Sequence, residues 1–160
     1  METGKKTLKC YLDTSVFNFA LADRWIEEQR ATLEFIRLSQ KGEFETYISS
    51  LVIDEIAATP DEGKRKKLFH VLNNLQPIEF PLDASVESLV SAYLAARIIP
   101  EKARNDAIHI AAATVSNLDI IVSWNQEHMV KVKTRIGINA VNKLNGYKEI
   151  EIATPREVIP

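Results

Sequence analysis

The chain has one cysteine in 160 residues, Cys10, so it can form no internal disulfide and hold no cysteine-rich zinc site. No apolar run approaches the ~18 residues that read as a membrane span. The opening METGKKTLKC carries lysines with no apolar signal core behind them, which argues against export. Glycine and proline are few, five and six, and scattered, which leaves no room for a flexible linker. There is no repeat and no low-complexity segment. An excess of one charge is also lacking, since 20 Lys and Arg against 22 Asp and Glu give a net −2. Such balance does not suit a protein that coats long polyanions, but it allows an enzyme that grips a few phosphates with clustered cations. These features are expected of a cytoplasmic protein whose residues 1–160 form a single domain.

What is present reads as alternating strands and helices. The apolar share of 46% and charged share of 26% suit a soluble globular chain. Residues 8–12 form a buried strand, and 24–40 a helix with Trp25, Leu33, Ile36 and Leu38 among its apolar positions. FETYIS (44–49) is a second strand that runs into the helix SLVIDEIAAT, ended by Pro60. A more basic helix follows over 61–73, then Pro77 and the short strand IEFPL. Asp83 reads as the N-cap of a helix to about Ile98, with Glu87 reaching back. Residues 105–117 form an alanine-rich helix, and DIIVSW (119–124) is the clearest strand. A helix near 136–144, an alternating edge strand YKEIEIA and the tail TPREVI complete the chain. Strands separated by helices predict an α/β protein with a mainly parallel central sheet covered on both faces. Sheets of that kind place their chemistry at the carboxyl ends of the strands.

Three acids sit in otherwise apolar segments near element boundaries. Asp13 closes the first strand, Glu55 interrupts SLVIDEIAA, and Asp106 opens the helix NDAIHIAAATV. Each has an ordinary explanation. Asp-Thr-Ser is good turn chemistry at Asp13. Glu55 has the place of a residue on the polar side of an amphipathic helix. Asp106 suits the first turn of a helix, worth ~0.3–1 kcal/mol through the helix dipole. Taken together they carry a different implication. Carboxylates gathered in a partly apolar pocket repel one another and lose hydration, a cost that a hard divalent cation removes. Bound near a phosphodiester, such a cation activates water and offsets developing charge.

The ordered set YLDTSVF, ISSLVIDEI, NDAIHIAAAT and DIIVSWNQEHM, over residues 8–130, resembles the PIN-domain family, with a terminal strand and tail over 131–160. The resemblance implies a three-layer α/β/α sandwich and a Mg²⁺- or Mn²⁺-dependent endoribonuclease, of which many are VapC-type toxins. By the same resemblance Asp13 is the central metal ligand, joined by Asp106, with Glu55 the second acid. Thr14 and Ser15 are the small polar positions that orient a carboxylate or water. The fourth family position departs from the pattern. Many members have T-x-D there, and this chain has Ser123-Trp124-Asn125. Asn125 offers an amide oxygen without charge, which implies one well-held ion and weaker retention of a second. Ser123 assists it or fills a small gap, and Asn125 also reads as a turn residue or N-cap. The implied partners are RNA, an antitoxin segment covering the acidic pocket, and a second copy of the chain in a homodimer.

Other residues invite functional readings. Arg104 lies two positions before Asp106 and is the best candidate for touching a bound phosphate, ahead of Arg97 and Lys102. GKRKK (63–67) reads first as a solvated helix face and second as a contact for RNA phosphates. Trp25 and Trp124 read as packing residues before base-stacking ones. His109, one turn after Asp106, reads as packing or bonding locally, and His70 and His128 as ordinary surface or packing residues. Asp54 faces solvent beside Glu55, and Asp119 lies at the wrong end of its strand. TGKKT (3–7) lacks the first glycine and the upstream strand of a phosphate loop. Two alternative functions stand beside the nuclease. One is a non-catalytic RNA- or protein-binding relative, motivated by Asn125. The other is a haloacid-dehalogenase-like phosphatase, disfavoured because Ser15 occupies the place of its second aspartate.

Overall fold

The structure, a computed structural model, describes residues 6–160; most of TGKKT therefore lies outside the described residues. Five strands form one all-parallel sheet in the order β3-β2-β1-β4-β5. They are β1 (Leu8–Leu12), β2 (Phe44–Ser49), β3 (Ile78–Phe80), β4 (Ile120–Val122) and β5 (Glu151–Ala153). β1 is central, with Tyr11 paired to Tyr47 on one side and to Ile121 on the other. Its inner residues Cys10, Tyr11 and Leu12 are fully buried, as are Ile121 and Val122. Strands enclosed on both faces read as apolar runs, which is why CYL and IIV stand out in the sequence, while Leu8 and Lys9 at the start of β1 are exposed. Burial also pushes the Cys10 thiol up to about 12, so it is an inert packing group.

The helices are α1 (Thr14–Ala20), α2 (Ile26–Gln40), α3 (Ser50–Ala57), α4 (Glu62–Leu75), α5 (Ala84–Ala95), α6 (Arg104–Val115), α7 (Val132–Leu144) and α8 (Pro155–Val158). A 3₁₀ turn, Glu101–Ala103, leads into α6. Side chains set the starts of several: Asp61 accepts from Lys64 N, Asp83 from Val86 N and Thr154 from Glu157 N. Alanines 107, 111, 112 and 113 are all fully buried; their small side chains let α6 lie close against α5 and the sheet. None of these helices is long and apolar enough to cross a membrane.

Several sequence expectations are corrected. α1 is absent from the sequence reading, because seven residues, TSVFNFA, are too few to show helical periodicity. Of the four apolar positions assigned to the second helix, only Ile36 is buried; Trp25 precedes α2, and both it and Leu33 are exposed. The buried face is Ala31, Thr32, Phe35 and Ile36. Glu87 pairs with Arg104 at 3.3 Å rather than reaching back to its own N-terminus. The alternating segment YKEIEIA contributes only Glu151–Ala153 to the sheet.

Candidate active site

Because every strand is parallel, all carboxyl ends lie along one edge of the sheet. Strand order reverses about β1, with β2 on one side and β4 on the other, and a crevice opens where connections diverge in this way. The residues that follow β1 and β4 are Asp13 and Ser123.

Asp13 is the N-cap of α1 and is only 4% exposed. Its Oδ1 accepts from Ser15 N at 3.1 Å and Ser15 Oγ at 2.5 Å, and its Oδ2 from Ser123 Oγ at 2.8 Å. The two serines are themselves fixed by the chain after β4: Trp124 N donates to Ser15 Oγ and Asn125 N to Ser123 Oγ, both at 2.9 Å. A carboxylate oxygen accepts about two hydrogen bonds. Oδ1 is therefore saturated, while Oδ2 keeps one acceptor position. Turn chemistry and carboxylate placement are thus one device, since the cap locks the acid at the crevice.

Glu55 projects from α3 and is half-buried. Its Oε1 accepts from Thr14 Oγ1 at 2.8 Å and faces His109 Nε2 at 2.6 Å. Tyr11 OH lies 2.6 Å from His109 Nδ1 and 2.8 Å from Ser49 Oγ. With Nε2–H donating to Glu55, Nδ1 accepts from the Tyr11 hydroxyl, whose oxygen in turn accepts from Ser49. His109 is 2% exposed, and its partners come from β1 and α3. It does not pack or bond locally, as expected from the sequence; it ties three elements together beneath the acidic crevice.

Asp106 lies in the first turn of α6 and is half-buried. Burial pushes its pKa up and Glu55 adds to this, while the Asn125 side chain, His109 and His128 oppose it. Burial likewise raises Asp13, with Asp106 contributing in the same direction and His109, Ser15 and Ser123 opposing. For Glu55 burial also pushes up, but His109, Thr14 and Asn105 outweigh it and hold the carboxyl below its ordinary value. The three acids therefore share one electrostatic neighbourhood. They do not make a ready cage, for among the described residues no three acidic, histidine or cysteine side chains stand as one ion's ligand set. Glu55 is drawn toward His109, leaving Asp13 and Asp106 as the pair of burdened carboxylates. Two hard oxygen donors, each disfavoured when ionised and each made worse by a neighbouring acid, are chemically suited to a divalent cation that keeps several waters. On that chemistry the residues fit such an ion.

Asn125 Oδ1 accepts from His128 N at 3.0 Å, so the residue does cap a turn. Its amide nitrogen is the group left to donate to Asp106. The Asn125 side chain lowers the Asp106 pKa, and its Oδ1, with one bond accepted, keeps a second acceptor position. Asn125→Asp places a second carboxylate against Asp106, and calorimetry with Mn²⁺ should then show tighter binding by about tenfold, roughly 1.4 kcal/mol. Unchanged Mn²⁺ affinity would mean that this position does not face the ion.

Arg104 is taken up by exposed Glu87 and Glu101, each at 3.3 Å, and not by the crevice. In GKRKK, Lys66 pairs with Glu62 at 3.2 Å along an exposed face. His70 is exposed and bonds Asn74 at 3.0 Å. Asp54 is exposed, and Asp119 lies at the opposite sheet edge, where it accepts from Lys9 N and pairs with Lys148. Trp124 is buried and donates from Nε1 to Thr32 Oγ1 at 2.8 Å.

The family model of the PIN domain matches residues 10–133. Among solved structures the chain is similar to a toxin–antitoxin complex from Klebsiella pneumoniae, with 12% identity and a TM-score of 0.56 over 78% of this chain and 93% of that one. At such identity the likeness is one of fold. No curated protein matches the chain.

Proposed function

The chain belongs to the PIN-domain family, and from that premise we propose that it is a Mg²⁺- or Mn²⁺-dependent endoribonuclease acting at the crevice beside β1 and β4. The observation that carries this reading is the Asp13–Asp106 pair, in which burial raises both acids and Asp106 adds to the burden on Asp13. Asp13 through Oδ2 and Asp106 would hold the ion, with Glu55 beside them. When bound, the cation supplies activation of a water nucleophile and neutralises charge building on the phosphodiester.

The chain's own groups do the rest. Ser15 and Ser123 fix Asp13, and Asn125 steadies Asp106. Thr14 and His109 aim Glu55, which is held below its ordinary carboxyl value and as a carboxylate orients the attacking water. Water oxygen bonds to phosphorus, the bond to the leaving ribose oxygen breaks, and that oxygen gains a proton; no covalent enzyme intermediate forms. A phosphatase using Asp13 as nucleophile is disfavoured, because Ser15 donates to Asp13 where such chemistry needs a second carboxylate. One structural neighbour is a toxin–antitoxin complex, which supports a protein partner that restrains this activity.

A fluorogenic single-stranded RNA should be cleaved in Mg²⁺ or Mn²⁺, and EDTA should suppress the rate by at least about a hundredfold, reversibly. Cleavage that persists in EDTA by a homogeneous preparation refutes the metal-dependent reading. RNA binding without cleavage under any divalent cation instead favours a non-catalytic relative.

A further inference from the structure

A groove of about 640 Å³ lies between the α1–α2 connection and the start of α4. Its walls combine an aromatic face with cations. Trp25 is 59% exposed, too much for a residue whose role is packing. Behind it Phe19 lies 6.5 Å away, ring centre to ring centre, and Phe19 stacks at 5.4 Å on Trp124. Trp124 is the residue whose backbone N–H holds Ser15 against Asp13. An aromatic row therefore runs from the acidic crevice out to the groove. Asn18 lines the same groove, and its amide donates to Thr14 O at 3.2 Å, beside Asp13.

Charge in the groove is unevenly engaged. Arg24, Lys64 and Lys67 line it and are exposed, and none has an acidic partner among the ion pairs of the described residues. The two acids in the wall are occupied. Asp61 caps α4 through Lys64 N at 3.0 Å, and Asp23 accepts from Gln29 Nε2 at 3.1 Å. Open cations beside an exposed indole face match a nucleic-acid strand with an unpaired base, because stacking needs a free π-face and the backbone needs positive charge.

We infer that this groove is a binding subsite for single-stranded RNA, in which a base stacks on Trp25 while flanking phosphates meet Lys64, Lys67 and Arg24. It rests on the reading of the crevice as an RNA-cleaving site and extends it, giving the strand a second foothold that favours unpaired over duplex RNA. Packing on Phe19 accounts for one edge of Trp25 but leaves its exposure unexplained, and Lys64 and Lys67, unlike Lys66 with Glu62, stand in the groove wall without an acidic partner among the ion pairs of the described residues.

The test is fluorescence anisotropy of a labelled single-stranded RNA with the full chain in EDTA, where binding is read without cleavage. Trp25→Ala should raise Kd about tenfold and Trp25→Phe by no more than about threefold, in keeping with base-stacking energies. Lys64→Gln with Lys67→Gln should reduce the slope of log K against log salt by about 1.4, two phosphate contacts' worth. The same RNA as a blunt duplex should bind more weakly and be indifferent to Trp25→Ala. Wild-type Kd in Trp25→Ala, or an unchanged salt slope in the lysine variant, overturns the subsite. Loss of a co-purifying protein partner with RNA binding intact also overturns it and assigns the groove to protein. Trp25-dependent binding without cleavage in Mg²⁺ would keep the subsite and discard the nuclease. Cleavage indifferent to Trp25 does the reverse. No RNA binding by the wild-type chain in EDTA removes the subsite and leaves the nuclease to be decided by cleavage in Mg²⁺.

Discussion

Asp13→Asn should abolish RNA cleavage, by at least about a thousandfold or roughly 4 kcal/mol of transition-state stabilisation, and should still yield a folded protein. The amide keeps the shape of the carboxylate, and the serine hydroxyls can reorient to meet an N–H, so the cap on α1 survives. The substitution removes a buried charge whose loss of hydration His109, Ser15 and Ser123 offset only in part. Without divalent cation, Asp13→Asn should therefore melt a few degrees above the wild-type protein at neutral pH. The sign follows from the raised pKa of Asp13. The folded state holds that proton to higher pH than the unfolded chain, so its contribution to stability is present below the unfolded value of about 3.8. It declines as pH rises toward the folded value. The wild-type melting temperature should thus lose ground to the variant as pH rises through that window. Adding Mn²⁺ should raise the wild-type melting temperature and leave the variant where it was. Retained cleavage by Asp13→Asn, or equal stabilisation of both proteins by Mn²⁺, counts against the assignment.

His109→Ala should be the most damaging single change outside the acidic pair. It opens a cavity in the closed wall of α6, leaves the buried Tyr11 hydroxyl short of a partner and removes one of the two groups bonded to Glu55 Oε1. Together these cost about 2–4 kcal/mol, read as a fall of about 1–2 M in the urea midpoint. Under conditions where the variant is fully folded, kcat should fall about 10- to 100-fold with little change in KM, because Glu55 loses its aim while the RNA-binding surface is untouched. His109→Gln can still donate an N–H toward Glu55 and should recover part of both losses. A variant within about 0.5 kcal/mol of wild type, with unchanged kcat, would show that the Tyr11–His109–Glu55 chain is packing alone.

Much of the scaffold was legible because the strands carry apolar or β-branched residues at their buried ends. β1 and β2 fall where LKCYL and FETYIS place them, buried at Cys10–Leu12 and at Ile48–Ser49, and Asp83 caps α5 as its position implies. The site was legible in its acids but not in their restraints. Asp13 reads both as a turn residue and as a candidate ligand, and the structure makes it the cap of a helix too short to leave a periodic signal. His109 reads as local because its partners lie 98 and 54 positions away in the chain, and no spacing rule reaches that far. The turn-capping role read for Asn125 is borne out by His128 N three residues on. Arg104 looks well placed by proximity in sequence, yet two exposed glutamates satisfy it. Trp25 fits an apolar slot in the sequence, but it precedes the helix and so escapes the buried face.

The central claim is that Asp13 and Asp106 share one divalent cation, and anomalous scattering from crystals grown with Mn²⁺ tests it most directly. The account predicts one strong peak per chain in coordination contact with both carboxylates, lost in Asp13→Asn. A crevice without a peak while the ion binds elsewhere, or a peak that persists in that variant, would contradict it.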